Sequence, residues 1–173
     1  MKTWIIDPAH TEIGFKIKHL VISTVRGMFK TYEGSITAAD ETFNDAVITF
    51  STDVASITTH NEMRDGHLLS ADFFDAEKFP KLTFHSISVK RNGNTLDIIG
   101  DLTIKDVTKS INLTATVHGT TIGADGKPVA AFDLTGAIER ADFGLTWNTV
   151  IETGGFAVGD TVTFDMIIEV KEV

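Results

Sequence analysis

The segment TDVASITTHNEMRDGHLLSADFFDAEKFP, residues 52–80, interrupts a chain in which apolar and polar residues otherwise alternate with a period of two. Thr59 and Glu62 have the spacing of a capping box, in which each side chain bonds the other residue's backbone N–H, so we expect a helix to begin there. Gly66 weakens this helix, which limits it to two or three turns. Pro80 favours extended backbone and begins the next strand. The segment therefore predicts one helical insert between two runs of strands.

Eight segments outside the insert alternate as strands with one buried face do. Asn92 and Gly93 predict a tight hairpin turn between two of them. The predicted strands are residues 11–19, 26–38, 45–54, 82–90, 95–104, 109–118, 129–140 and 160–171. Eight antiparallel strands with polar outer faces predict an all-β fold, either a closed β-barrel or a sandwich, with the helical insert at one rim. No linker or repeat divides residues 1–173, so we expect a single domain.

Composition narrows the possible partners. The chain has 173 residues, 42% of them hydrophobic and 23% charged, which is typical of a folded domain with a sizeable core. Its net charge of −9 and the lack of a basic patch argue against nucleic acid as a partner. It contains no cysteine, which excludes disulfides, thiolate metal sites and a cysteine nucleophile.

The N-terminal residues MKTWIIDPAH contain one short apolar run, which is shorter than the core of a signal peptide. No segment approaches the length of a membrane-spanning helix. We therefore expect a soluble, cytoplasmic protein that does not span a membrane.

Four polar residues are expected to meet at one mouth of the barrel. If consecutive strands are neighbours, alternate strands end at the same rim, and that rim collects His19, Arg64, His67 and Arg140. His19 and Arg140 also continue the inward-facing side of their strands, so both are predicted to face the mouth. The insert must bury its apolar face nearby, which predicts that its apolar residues close or line the cavity end. These residues are Met63, Phe73, Phe74 and Phe79, with Asp72 as the cap of a second short turn.

Small residues occur on the inward faces of three strands. Gly100, Ala115 and Gly136 lie among Leu, Ile and Phe at inward positions. Glycines of this kind can mark bends or fit the taper of a packed barrel, whereas several together can also leave room for a ligand. Both interpretations remain open at this point.

The sequence contains few motifs that are typical of catalytic or metal-binding sites. The six histidines lack the spacing of a metal site, and we assign no metal ligand and no catalytic residue. No G-x-S-x-G motif and no phosphate-binding glycine loop is present. An acid–base role of His67 beside Arg64 and Asp65 is weighed against a hydrogen-bonded cap that holds the helix on the rim, and the cap is favoured.

Five segments together resemble the YceI-like family, and they cover nearly the whole chain in the right order. The middle one, with its RD-x-HL motif and phenylalanine-rich tail, is the most specific. The segments are DPAHTEIGFKIKHLVISTVRGMFKTYEGSI (7–36), VASITTHNEMRDGHLLSADFFDAEKFPKLTF (54–84), IIGDLTIKDVTKSINL (98–113), IERADFGL (138–145) and VGDTVTFDMIIEV (158–170).

The resemblance implies a lipocalin-like antiparallel β-barrel whose long apolar cavity binds a polyisoprenoid or a similar long-chain lipid. It also implies that an isoprenoid quinone or other amphiphile is a possible ligand, that no separate cofactor is needed, and that a homodimer is possible, since dimers are common in the family. We expect ligand contacts from Phe15, Ile17, His19, Ile36, Phe50, Met63, Arg64, His67, Phe73, Phe74, Phe79, Phe84, Ile98, Gly100, Leu102, Leu113, Ala115, Leu134, Gly136, Arg140, Phe164 and Met166.

Carriage or storage of such a lipid, without catalysis, is thus the primary hypothesis. One alternative is an enzyme or stress-response protein that acts on lipids with His19 or His67 at the rim. A second alternative is an interaction protein whose barrel is packed solid. Extractable lipid and binding of apolar dyes distinguish the primary hypothesis from the solid barrel.

Overall fold

The computed structural model describes residues 1–152 and 154–173, and antiparallel strands account for most of them. One α-helix, α1 (Glu62–Leu69), lies between two runs of strands, as predicted. The strands within the described residues are β1 (Lys2–Ile6), β2 (Ile13–His19), β3 (Ser23–Phe29), β4 (Tyr32–Ala38), β5 (Val47–Asp53), β6 (Ile57–Thr58), β7 (Lys81–Asn92), β8 (Thr95–Ile104), β9 (Val107–Ile122), β10 (Pro128–Glu139) and β11 (Thr161–Glu172).

Eight of these strands close into a barrel through β1. This strand pairs with β4 on one side and with β11 on the other, and the remaining order is β4, β5, β7, β8, β9, β10, β11. The prediction of an eight-stranded antiparallel β-barrel is confirmed, and the closed ring excludes the sandwich. The predicted hairpin is confirmed as well, since Asn92 and Thr95 are cross-strand partners around a turn in which Gly93 has a φ of 63°.

The strand predicted over residues 26–38 is wrong, because the chain breaks it into β3 and β4. β3 pairs with β2 and, at its last two residues, with β6, whereas β4 pairs with β1 and β5. The β2–β3 hairpin therefore lies beside the barrel ring, where β2 pairs with the first part of β11. The strand that closes the ring next to β4 is β1, which the sequence pattern did not predict.

The helix begins with a different cap from the predicted one. Asn61 is the N-cap, and its side-chain oxygen accepts a hydrogen bond from Arg64 N at 3.0 Å. Thr59 does not form the capping box with Glu62, because Asp65 accepts from both the backbone N–H and the hydroxyl of Thr59. The predicted second short turn is present, since Lys78 N and Phe79 N both donate to the Asp75 carbonyl at 3.0 Å.

The end of the barrel opposite the helix is closed by aromatic side chains. Phe43, from the loop between β4 and β5, packs between Trp4 and Phe132 with ring centroids 5.3 Å and 5.1 Å away. Phe43 and Trp4 are completely buried. These three residues form the floor of the barrel.

The inward-facing glycines Gly100 and Gly136 have no open space beside them. A Cβ at Gly100 would lie 2.3 Å from Cζ of Phe84, and one at Gly136 would lie 2.5 Å from Cδ2 of Leu113. Each glycine thus lets a neighbouring strand's side chain lie flat across its backbone. The interpretation that Gly100 and Gly136 leave room for a ligand therefore does not fit these two positions, because Phe84 and Leu113 fill the space beside them.

We predict opposite effects for the same substitution at two glycines. Gly100→Ala should lower the free energy of unfolding by about 1–3 kcal/mol through overpacking, because the new methyl group also meets the backbone oxygen of His85 at 2.5 Å. Gly66→Ala should raise it by about 1 kcal/mol, since Gly66 lies in α1 with open space around it. Urea denaturation of both variants shows whether each substitution lowers or raises the free energy of unfolding. A neutral Gly100→Ala would show that Phe84 repacks freely.

Candidate functional site

The barrel encloses a cavity of about 420 Å³ between the floor and the rim that carries α1. This volume lies within the range of small-molecule sites, about 300–1,000 Å³. Its wall is almost entirely apolar, and the described barrel is therefore not packed solid. The solid-barrel alternative does not fit this interior.

Most of the residues expected at the ligand site border the cavity. They come from the inward faces of the strands, from α1 and from the turn after it. They are Phe15, Ile17, His19, Ile36, Phe50, Arg64, His67, Phe73, Phe74, Phe84, Ile98, Leu102, Leu113, Ala115, Leu134, Arg140, Phe164 and Met166.

Four of the expected residues are placed elsewhere. Met63 is 88% exposed and points away from the barrel. Phe79 is half-buried but does not border the cavity. Gly100 and Gly136 are covered by the side chains of neighbouring strands. The expectation that these four residues border the cavity is therefore wrong.

The helix presents a different face to the cavity from the predicted one. Arg64, His67 and Leu68 border the cavity, at the i, i+3, i+4 spacing of one helical stripe. Met63 lies on the neighbouring, solvent-facing side of α1. The helix thus places a cation and an imidazole at the mouth, with one leucine beneath them.

Arg64 is held by the residue that precedes the helix. Its Nε donates to the Thr59 hydroxyl and its Nη2 donates to the Thr59 carbonyl, both at 2.7 Å. Thr59 is itself buried and is fixed by Asp65. The guanidinium therefore has a defined position at the mouth, with Nη1 left out of these two bonds.

His67 is part of an aromatic cluster at the mouth. Its ring packs edge-on against Trp147 at 4.6 Å and against Phe73 at 5.1 Å, measured between centroids. Its Nε2 lies 2.8 Å from a carboxylate oxygen of Asp72. The Asp72 side chain thus anchors His67 instead of capping the second short turn, as was predicted.

Arg140 joins the barrel wall to the described parts of the loop that follows it, residues 144–152 and 154–160. Its Nη1 donates to the carbonyl oxygens of Leu145 at 2.5 Å and Trp147 at 2.9 Å, and its Nε donates to that of Gly159 at 2.7 Å. The side chain is only 4% exposed, and burial lowers the pKa of the guanidinium, while the charge of Asp160 opposes that shift. In the described part of the chain no carboxylate lies within 4 Å of it. Arg140 therefore holds the loop in place as a buried cation.

The charges around the cavity have one sign. The guanidinium-bearing residues Arg64 and Arg140 border it, whereas none of the described residues that border it is an Asp or Glu. This distribution contrasts with the net charge of −9 of the whole chain. The mouth therefore favours ligand groups that are negative or accept hydrogen bonds.

A separate polar cluster lies outside the cavity wall. Nδ1 of His10 lies 2.9 Å from a carboxylate oxygen of Asp7 and 3.4 Å from one of Glu169. The bond to Asp7 raises the pKa of His10, and the same bond lowers the pKa of Asp7. His10 thus has two carboxylate neighbours, one of them from the distant strand β11. Asp7 also caps the short turn Pro8–His10, which gives this cluster a structural role.

The sequence did not single out several residues of the site. Trp147, Leu145 and Ala157 border the cavity from irregular chain between β10 and β11. An alternating pattern cannot find such residues, because the loop has no period. Leu68 could have been found from its spacing to Arg64.

No helix among the described residues has the length and apolar character that crossing a membrane requires.

Comparison with known proteins gives a consistent assignment. A family model described as the YceI-like domain matches residues 4–170. UPF0312 protein SA2479 of Staphylococcus aureus is 35% identical over 170 residues, which cover 98% of this chain and 97% of that protein.

Solved structures support the same fold. A Campylobacter jejuni YCEI protein is 36% identical, with a TM-score of 0.77 over 96% of both chains. Burkholderia cenocepacia BcnA has a TM-score of 0.79 at 23% identity, covering 95% of this chain and 98% of that one. A polyisoprenoid binding domain from Saccharophagus degradans has a TM-score of 0.71 at 15% identity over 98% of both chains. With a family model and a relative over nearly its full length, the chain belongs to the YceI-like domain family.

Proposed function

We propose that the protein binds a long-chain isoprenoid or a similar amphiphilic lipid in the barrel cavity, and that it carries or stores this lipid without turnover. The observation that carries the proposal is the apolar cavity of about 420 Å³ with cations and no carboxylate among its described lining residues. An apolar chain fits the wall, and a polar head fits the mouth.

Most of the affinity would come from the length of the lipid. Each buried CH₂ group contributes roughly 0.8 kcal/mol, so a long chain needs few polar contacts. At the mouth, Arg64 has Nη1 outside its bonds to Thr59 and is the best placed donor for a head group. A phosphate, a carbonyl or a quinone oxygen would satisfy it.

The relatives agree with this proposal. The Saccharophagus degradans domain is named for polyisoprenoid binding and shares the fold. The family resemblance adds a homodimer to the proposal, which analytical ultracentrifugation of the purified protein would test.

Two contacts bear on the alternative of a lipid-modifying enzyme. The Ser23 hydroxyl donates to the carbonyl oxygen of His19 at 2.9 Å, whereas its distance to Nδ1 of His19 is 3.5 Å, too long for an activated nucleophile. Nε2 of His67 lies against Asp72. His19 thus does not hold Ser23 as an activated nucleophile, whereas Asp72 fixes the orientation of the His67 ring.

Filling the cavity tests the proposal. Ala115 is buried, borders the cavity and lies between Leu96 and Leu134 on the neighbouring strands. Ala115→Leu is expected to reduce lipid that co-purifies with the protein several-fold, because the larger side chain occupies space that the ligand needs. The measurement is mass spectrometry of an organic extract, with uptake of an apolar dye as a second readout.

Ala137→Leu is the matched control, since Ala137 is exposed on the outer side of β10. It should leave lipid and dye binding unchanged. If wild-type protein yields no lipid and takes up no apolar dye, or if Ala115→Leu binds as wild type does, the proposed function is refuted.

A further inference from the structure

An exposed apolar surface lies beside the mouth of the cavity. It consists of the turn between β2 and β3 and the neighbouring loop, and we call it the apolar tip: Leu20, Val21, Ile22, Val150 and Phe156. Ile22 is 86% exposed, and the other four are also exposed. The two segments are joined by a hydrogen bond from Leu20 N to the Ala157 carbonyl at 2.9 Å.

The turn is built from residues that tight turns usually avoid. Leu20 and Val21 have φ values of 52° and 70°, a conformation that favours glycine or asparagine and is unusual for a β-branched residue. The protein thus keeps large apolar side chains at a position where both backbone strain and contact with water oppose them. Such strain is found where a residue serves something other than stability.

The strands that carry the tip are basic, in contrast to the rest of the chain. Residues 13–32 contain Lys16, Lys18, Arg26 and Lys30 and no Asp or Glu, although the whole chain has a net charge of −9. Lys16 and Arg26 are cross-strand partners, so two positive charges lie side by side. Arg26 also lies 3.3 Å from Asp165, whereas no described carboxylate lies within 4 Å of Lys16 or Lys18.

The hairpin also extends from the barrel. Residues 23–27 of β3 have only β2 as a described strand partner, because β6 pairs with Met28 and Phe29 alone. The mouth begins directly beside the apolar tip, since His19 precedes Leu20 and Ala157 follows Phe156, and both border the cavity. A surface that covers the tip would therefore also face the mouth.

We propose that the β2–β3 hairpin docks the protein on an anionic lipid bilayer, with the apolar tip inserted among the lipids and Lys16 and Lys18 on the head groups. Apolar side chains beside a basic surface are the combination that binds anionic membranes. Docking would place the cavity mouth against the bilayer, so that a lipid can pass between them without crossing water. This purpose rests on the proposed lipid-binding function, but docking itself is measured without any ligand.

The test is flotation of the full-length protein with vesicles of phosphatidylcholine alone or mixed with phosphatidylglycerol. Wild-type protein should float with the mixed vesicles, and high salt should release much of it. A Val21→Asn, Ile22→Asn variant should bind the mixed vesicles at least about tenfold more weakly than wild type, because two apolar side chains are no longer removed from water on binding. This variant should remain folded, since both residues are exposed and asparagine tolerates the φ of Val21.

A second variant, Lys16→Gln, Lys18→Gln, should lose most of the preference for vesicles that contain phosphatidylglycerol.

The matched control is Ile122→Asn, Lys127→Gln, which removes an exposed isoleucine and an exposed lysine at the opposite rim. It should float as wild type does. The proposal is overturned if wild type does not float with mixed vesicles, or if the tip variant floats equally well. A tip variant that only loses self-association would assign the surface to a second copy of the chain. Dye uptake separates the two proposals: the tip variant should still fill its cavity, and Ala115→Leu should still float.

Discussion

Arg140→Met is expected to release the loop over residues 144–152 and 154–160 from the barrel and to lower the free energy of unfolding by about 3–5 kcal/mol. The guanidinium donates to the carbonyl oxygens of Leu145, Trp147 and Gly159, and charge-assisted hydrogen bonds are worth about 1.5–3 kcal/mol each. Methionine fills a similar space but leaves those carbonyls without a donor. Because Trp147 supports His67 at the mouth, retention of bound lipid should fall too.

Two measurements check this expectation. Urea denaturation gives the loss of stability, and hydrogen exchange at Ala157, whose N–H donates to Thr149, reports on the loop. Arg140→Lys keeps the charge but not the planar fork of donors, so its loss should lie between wild type and Arg140→Met. Unchanged exchange at Ala157 in the methionine variant would show that the loop is held by other contacts.

Phe43→Ala is expected to open the floor of the barrel. Phe43 is completely buried between Trp4 and Phe132, and removing a buried phenylalanine typically costs about 3–5 kcal/mol. The cavity would extend into the vacated space. We therefore expect a lower midpoint of urea denaturation together with binding of a longer or bulkier apolar dye.

Phe43→Leu controls for the loss of volume, since leucine keeps most of the apolar contact and should cost much less. Dye binding measured across a series of chain lengths gives the second readout. If Phe43→Ala loses stability but prefers the same chain length as wild type, the floor has collapsed onto the vacated space and does not limit the length of the ligand.

The sequence predicted the barrel and its rim because both depend on patterns of regular period. Strands β8 to β11 alternate most clearly, and their order alone brings Arg140 and the helical insert to one end. β1 was not predicted, because it has five residues and only Trp4 among them is fully buried. Phe43 and Trp147 lie in irregular chain, where contacts made after folding decide their position.

Two predictions, the placement of Met63 and the role of Gly100, depend on packing contacts that sequence patterns do not reveal. The eight residues of α1 are too few to reveal which side docks, so Met63 was placed on the wrong face. Whether Gly100 borders the cavity or lies beneath another residue depends on which side chain of β7 covers its backbone. That depends on the strand register and on the direction of the Phe84 ring, and packing across several strands decides both.

The closure of the barrel through β1 has a consequence for the order of events in the cell. Trp4 is a cross-strand partner of Glu172, so the ring joins strands from the two ends of this sequence. At about 5–20 residues per second, a ribosome needs roughly 10–30 s between these two positions. During that time the apolar inner wall has no closed ring around it, and pairings between distant segments form late and slowly. A closed cavity thus forms only after the residues around Glu172 have been synthesised, and the full ring can enclose a ligand only from then on.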